Sequence, residues 1–377
     1  MKIAAVVCEY HPFHNGHAYQ LKTAREQLGC DGVVGIMSGN FVQRGEPALF
    51  PKQQRAKAAL LNGMDLVLEL PAVQTLQSAE RYANNAVATL HALGCVDTLF
   101  FGAECPDTDV LMQIAMVLAR EDTAFSQAIK GYLEEGVSFA VARSRAVEEI
   151  LGPASAEILS QPNNILAVEY CKALIRNHSN IKPHAILRKG VGHHDADGNG
   201  EFASGSAIRE KIQKGEEFLQ YLPTATHPIY ESGQTFRTEE FERAVLASLC
   251  MKTPEELEKI ADVSEGLEYA VLRSAFEHQT LEETAQGVKS KRYAFSRIRR
   301  ILLNAYLGIT KEDSRMQPAY IRILDFNETG QKILHHAKTT ATLPLAKNGA
   351  QVKEHPRALA LWKRELAIDK VYRLYLR

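Results

Sequence analysis

The sequence lacks an excess of charge of either sign: 44 Lys and Arg against 45 Asp and Glu leave a formal net charge of −1 over 377 residues. That excludes a uniformly basic nucleic-acid binder and a protein with an acidic field over its whole surface. Cysteine is sparse and scattered. Cys8, Cys30, Cys95, Cys105, Cys171 and Cys250 include no C-x-x-C pair, so neither a disulfide framework nor a thiolate zinc site is indicated, and all six read as reduced cytosolic thiols. No apolar run approaches the roughly 18 residues of a membrane span. The run at 3–8 stops at Glu9, too short for a signal-peptide core. These absences predict a soluble, cytoplasmic protein with no membrane partner and no tightly bound metal. The chain also lacks internal repeats and low-complexity segments. What remains is a globular composition, 45% apolar and 24% charged, and a length that fits two domains.

The first hundred residues alternate strand and helix signals. Continuous apolar runs at 3–7, 33–37, 66–70 and 98–101 read as buried parallel strands. Helical patterns at 18–28, 53–62 and 79–93 each end at or beside a glycine: Gly29, Gly63 and Gly94. The alternation predicts a doubly wound α/β sheet with helices on both faces. Residues 110–151 are mainly helical, 165–176 form another helix, and 184–187 are a candidate fifth strand. Beyond about Thr224 strand signals nearly vanish. Thr238, Thr253-Pro254-Glu255-Glu256 and Thr280-Leu281-Glu282-Glu283 look like helix starts, the last two as capping boxes. The reading is a catalytic α/β domain over 1–223, a linker near 221–234, and an all-helical domain over 235–377.

The sharpest motif is Glu9-Tyr10-His11-Pro12-Phe13-His14-Asn15-Gly16-His17, between the first strand and the first helix. In a doubly wound sheet that loop lies at the carboxyl end of a strand, where nucleotides bind. His14 and His17 bracket a glycine that lets a base or phosphate approach, and free N–H groups at the helix start favour anions. No Lys of a G-x-x-x-x-G-K-[ST] loop follows, so the site is not of Walker type. Two other readings stay open: metal ligation by His11, His14 and His17, and plain helix capping by the histidines.

H-x-G-H in this position is similar to the signature shared by nucleotidyltransferases and class I aminoacyl-tRNA synthetases. More narrowly, the chain resembles the bacterial tRNA(Met) cytidine acetate ligase family. The resemblance is carried by 9–17, by Met37-Ser38-Gly39-Asn40-Phe41-Val42-Gln43-Arg44-Gly45-Glu46-Pro47-Ala48, by 62–71 and 162–166, and by Lys291-Arg292-Tyr293, 297–300 and 321–324. Two places depart from the family pattern: His11 stands where Asn is usual, and His193-His194-Asp195 where an aromatic residue precedes His-Asp.

The resemblance implies a Rossmann-like nucleotidyltransferase fold and a two-step reaction. Acetate attacks the α-phosphate of ATP, which enters with Mg²⁺, giving acetyl-adenylate and pyrophosphate. The wobble cytidine of elongator tRNA(Met) then takes the acetyl group, becoming N4-acetylcytidine. His14 and His17 are the implied catalytic pair on the triphosphate. The loop Val7, Cys8, Glu9, Tyr10, His11, Pro12, Phe13, His14, Asn15, Gly16, His17, Ala18, Tyr19 and Gln20 lines ATP, with Gly102, Asn163 and Arg188 at the nucleoside. The plainer alternatives are a strand-ending glycine, an N-capping Asn and a surface salt bridge. Ser204, Ser206 and Arg209 resemble a second, Ser-rich phosphate signature, or else a Ser-capped helix with an exposed Arg. Arg44, Lys52 and Arg55 reach phosphate or tRNA, or form a solvated face. Glu69 and Glu104 are candidate water-mediated Mg²⁺ sites, though no spacing demands it. A small-metabolite adenylyltransferase and a non-catalytic RNA-binding protein are the competing functions.

Charge is segregated despite the neutral total. Residues 238–288 hold twelve acidic and four basic residues, whereas 289–300 hold six basic and no acidic ones. In helical register, Phe295, Ile298 and Leu302 form an apolar face and Arg292, Ser296 and Arg299 the opposite one. With the resemblance, this makes Lys289, Lys291, Arg292, Arg297, Arg299 and Arg300 candidate tRNA contacts, with Tyr293 a stacking surface. Residues 352–377, with seven basic and three acidic side chains, are a second candidate contact or a docked helix.

Overall fold

The computed structural model describes residues 1–120, 123–188, 202–264, 266–290 and 292–377. His193, His194, Asp195 and Lys291 lie outside them. The five apolar runs are strands, all parallel: β1 Ile3–Cys8, β2 Gly32–Ser38, β3 Leu66–Leu70, β4 Thr98–Ala103 and β5 Lys182–Leu187. Their order across the sheet is β5-β4-β1-β2-β3, a doubly wound arrangement that reverses direction between β1 and β4. Alternate residues face opposite layers. Ile3, Ala5, Val34 and Ile36 pack against helices α3 (Ala79–Leu93) and α4 (Pro162–Arg176). Ala4, Val6, Val33 and Met37 pack against α1 (Asn15–Leu28), α2 (Lys52–Leu60) and α5 (Gly205–Lys214).

The sheet does not end at β3. Ile321–Phe326 (β6) adds antiparallel to it, and Leu345–Ala346 (β7) pairs with β6. The expectation of strand-free sequence after Thr224 is therefore corrected in one respect: the mainly helical C-terminal third returns to the catalytic sheet. Between β6 and β7, helix α7 (Glu328–Thr340) lays Ile333, Leu334 and Ala337 on the same core as α3. A further core gathers α6 (Phe295–Leu307), α8 (Pro356–Arg373) and the helices over 238–288. It also takes in Phe41, Ala72, Val73 and Leu76 from the first hundred residues.

Local chemistry explains the boundaries. Gly29 and Gly94 end α1 and α3 in left-handed conformation, φ 55° and 73°. Thr253 makes the full capping box with Glu256. Thr280 Oγ1 accepts from the Glu283 N–H at 3.1 Å and donates back to its carboxylate. Thr238 is the first residue of its helix, preceded by Arg237. No described helix is long and apolar enough to cross a membrane.

Candidate active site

Strand β1 stays paired with β2 as far as Cys8–Met37 but with β4 only at Ala4–Thr98 and Ala5–Leu99. The two middle strands thus part towards their carboxyl ends and open a crevice at the switch point. The motif loop crosses its mouth. Tyr10 sits at φ 48°, a conformation that costs a non-glycine residue about 1–3 kcal/mol. Its ring is wedged 4.8 Å from both Phe13 and His17. The Tyr230 hydroxyl accepts the Phe13 N–H at 3.1 Å, and Asn15 Nδ2 donates to the Gln220 carbonyl at 3.0 Å. The linker segment therefore braces the loop from outside the sheet.

His14 and His17 cap the helix that starts at this switch point. His14 Nδ1 accepts from the Gly16 N–H at 3.1 Å, and His17 Nδ1 accepts from the His14 N–H at 3.2 Å. The result is a capping box built from two imidazoles, stacked 3.6 Å apart. Each Nδ1 is an acceptor, so each ring carries its proton on Nε2. Burial lowers the pKa of His14 to about 3, helped by Arg188 and Arg209. Burial and His14 push His17 well below the ordinary imidazole range. Both rings are neutral Nε2–H donors at physiological pH. Gly16 is explained by the cap itself: a Cβ there would lie 2.9 Å from His14 Cε1. The space assigned from sequence to an approaching ligand is filled by an imidazole. The metal reading is not favoured for His11, whose Nδ1 accepts the Leu49 N–H at 3.2 Å while its Nε2 faces Glu46 at 3.8 Å.

The residues assigned to the nucleoside converge at β4 and β5. A Cβ on Gly102 would meet Arg188 Cγ at 3.1 Å and Gln20 Nε2 at 3.3 Å. Arg188 Nη1 donates to Asn163 Oδ1 at 2.8 Å, and Asn163 Nδ2 donates to Glu104 Oε1 at 2.5 Å. Glu104 Oε2 also accepts the Asn164 N–H, so this carboxylate anchors the start of α4. The N-cap position itself is Gln161. Ser204 caps α5 by accepting the Ala207 N–H at 3.2 Å and lies 3.0 Å from the Ser206 hydroxyl. Arg209 donates to the His11 carbonyl at 2.9 Å and to Glu46 Oε1 at 3.0 Å.

Three expectations about cations are corrected. Lys52 and Arg55 are wholly buried, not a solvated or ligand-reaching face. Arg55 donates to the carbonyls of Glu9, Ser38, Gly39 and Phe50, tying the loops after β1 and β2 together. Lys52 Nζ lies 2.5 Å from Glu69 and 2.6 Å from Asp369. Among the described residues, Glu69, Glu365 and Asp369 are the trio close enough to converge on a cation, but the Lys52 ammonium already occupies that place and Glu69 is sealed from solvent. In the cationic strip, Arg300 is buried on Asp262 at 3.0 Å, and Arg297 donates to the Asp262 carbonyl and Ser264. Arg300 is thereby withdrawn from solvent, and Nε and Nη2 of the half-buried Arg297 are taken up within the fold. Arg299 bridges Glu46 at 3.4 Å and Glu282 at 3.7 Å. Lys289, Arg292 and Arg44 are exposed.

Glu46, which no single-residue signal marked, is the hub. One carboxylate receives Arg209 and Arg299 and faces His11, joining the crevice loop, α5 and α6. It stands in a hairpin of Phe41–Val42 and Glu46–Pro47, within the motif block 37–48.

The HIGH Nucleotidyl Transferase family matches residues 1–377. A tRNA(Met) cytidine acetate ligase of Thermoanaerobacter sp. (strain X514) is 40% identical over 384 residues, covering 99% of this chain and 95% of that protein. One of Thermosipho africanus is 39% identical, with 92% and 85% covered. The crystal structure of Thermotoga maritima TmcAL bound with alpha-thio ATP superposes with a TM-score of 0.92 at 33% identity, covering 100% of this chain and 95% of that one. With a match along its whole length and such relatives, the chain belongs to the tRNA(Met) cytidine acetate ligase family of HIGH nucleotidyl transferases.

Proposed function

We propose that this protein is an ATP-dependent ligase that forms acetyl-adenylate from acetate and ATP and acetylates the wobble cytidine of elongator tRNA(Met) in the cytoplasm, releasing AMP and pyrophosphate. The observation that carries it is the pair of neutral imidazoles, locked by their own capping bonds as Nε2–H donors at the mouth of the crevice. In the first step an acetate oxygen bonds to the α-phosphorus while the bond to the pyrophosphate oxygen breaks. Charge grows on the phosphoryl oxygens, and donors fixed beforehand stabilise it without reorganising. His14 and His17 fill that role, with Ser204 and Ser206 at the α5 N-terminus and Arg188 beside them. Gly102, Gln20 and Asn163 lie where adenosine would rest. Mg²⁺ enters with the triphosphate as part of the substrate. Arg209 positions the loop.

For the tRNA, Lys289 and Arg292 are the outward cations. They lie on the turn just before α6, and the contacts from Arg299 through Glu46 to Arg209 and His11 tie that helix to the reacting end. Incubating the protein with ATP, labelled acetate and tRNA tests the reading. Expected are acetyl-adenylate and N4-acetylcytidine. Adenylate formed with a small metabolite in place of acetate would favour a cofactor adenylyltransferase, and no adenylate at all would leave an RNA-binding protein.

A further inference from the structure

Glu9 is the motif residue that phosphate chemistry does not use. It follows β1 directly, yet its carboxylate turns away from β4 and the nucleoside residues towards β2. Oε1 accepts the Gln43 N–H at 2.7 Å and the Ser38 hydroxyl at 3.2 Å, and Ser38 is itself 3.3 Å from the Tyr82 hydroxyl. Among the described residues Oε2 has no hydrogen-bond partner, and it is not one of the sealed atoms of this half-buried residue, so one oxygen is clamped and the other is open to a ligand. Arg44, on the hairpin turn, is exposed and acts on the Glu9 carboxylate through its charge. The site therefore has two flanks: donors for phosphate on one, a single oriented acceptor on the other.

We propose that Glu9 is a catalytic residue of the transfer step, accepting a hydrogen bond and then a proton from the exocyclic amine of the acceptor cytosine. This rests on the function proposed above. A carboxylate is the side chain that reads the cytosine N4–H₂ group, and uracil, with an oxygen there, would repel it. As N4 attacks the acetyl carbonyl, the N–C bond forms and the bond to the adenylate oxygen breaks. AMP leaves with that electron pair, and the N4 proton passes to Glu9 Oε2. Atoms and charge balance without a further reactant. Burial raises the Glu9 pKa above the ordinary carboxylate range, and Glu46 adds to it, while Arg44, the Gln43 N–H and Ser38 oppose the shift. Arg55, Arg209, Tyr82 and Tyr170 also face this carboxylate.

Glu9→Gln keeps the acceptor for Gln43 and Ser38 but takes no proton. Acetate-dependent ATP–pyrophosphate exchange reads the first step, and single-turnover transfer from the preformed adenylate to tRNA reads the second. Transfer should fall by about 100-fold or more, far more than exchange, and its acid-side pH dependence should vanish. Glu9→Asp, which keeps the base, should restore that pH limb, and thermal unfolding shows whether each variant is folded. Equal losses in exchange and transfer, or transfer as fast as wild type, would overturn the proposal. Wild-type protein that makes no adenylate would instead refute the function on which it rests.

Discussion

His14 caps its helix through Nδ1 and, in the function proposed above, meets phosphate through Nε2, so capping and phosphate binding, alternatives in the sequence, are compatible in one residue. The two roles separate by mutation. Asn is among the best N-cap residues and retains an acceptor where Nδ1 stood, but has nothing where Nε2–H stood. His14→Asn should keep thermal stability within about 1 kcal/mol and lower acetate-dependent exchange by about 100-fold or more; His14→Ala should lose both. Protonation links the pair to pH. The folded His14 pKa is about 3 and that of His17 is also depressed, against about 6.5 unfolded. The unfolded chain therefore binds protons first. This contribution to stability is complete above about pH 6.5 and is lost as pH falls towards 3. Melting temperatures should drop below pH 6.5 in wild type and drop less in His14→Asn. The motif was legible because these residue types have few other uses at a strand end. Arg55 was not, because nothing local distinguishes an arginine that folds inward onto four carbonyls from one that reaches solvent.

At the scale of elements, the hairpin after β2 decides how the crevice meets α6. Gly45 sits at φ +80°, and a Cβ on it would lie 2.6 Å from the Arg300 backbone nitrogen. Both facts oppose any side chain, since the conformation alone costs about 1–3 kcal/mol and the neighbour is backbone that cannot swing aside. Gly45→Ala should destabilise the protein in chemical denaturation by at least that amount and push α6 off Glu46. Lys289→Ala with Arg292→Ala should leave stability unchanged and weaken tRNA binding, with a shallower salt dependence. Equal salt slopes in mutant and wild type would remove the strip from the RNA interface. Periodicity found Ile298 and Leu302 of the apolar face of α6, both fully buried, with Phe295 half-buried beside them, but it ran the helix back too far: Arg292 precedes the first residue, Phe295. It could not tell outward cations from those bent back onto Asp262 and Glu46, because those partners are 35 to 253 residues away in sequence. Strand β6 escaped for a similar reason. Ile321-Arg322-Ile323-Leu324 is short, isolated among helices and mixed in polarity, and its arginine is mid-strand only because Glu69 and Asp369 neutralise it there.

The whole molecule is joined by that buried charge cluster. Lys52 from α2, Glu69 from β3, Arg322 from β6 and Asp369 from α8 form a closed ring of ion pairs, and Asn40 donates to Asp369. Glu365 lies beside them; burial, with Glu69 and Asp369, raises its pKa to about 8. A division into domains at 223–235 thus meets a network that crosses it, and unfolding can measure what that network does. Removing one partner from a buried pair strands the others and typically costs about 3–5 kcal/mol, so Asp369→Ala should lower stability on that scale. The sole tryptophan, Trp362, lies on α8 with the Arg322 guanidinium 4.6 Å over its ring, and therefore reports the C-terminal core. Loss of nucleotide binding reports the crevice. If the cluster couples the halves, tryptophan fluorescence and nucleotide binding should be lost in one transition in wild type and separate in Asp369→Ala. Two transitions already present in wild type would make the C-terminal helices an independent domain and reduce the ring of charges to local packing.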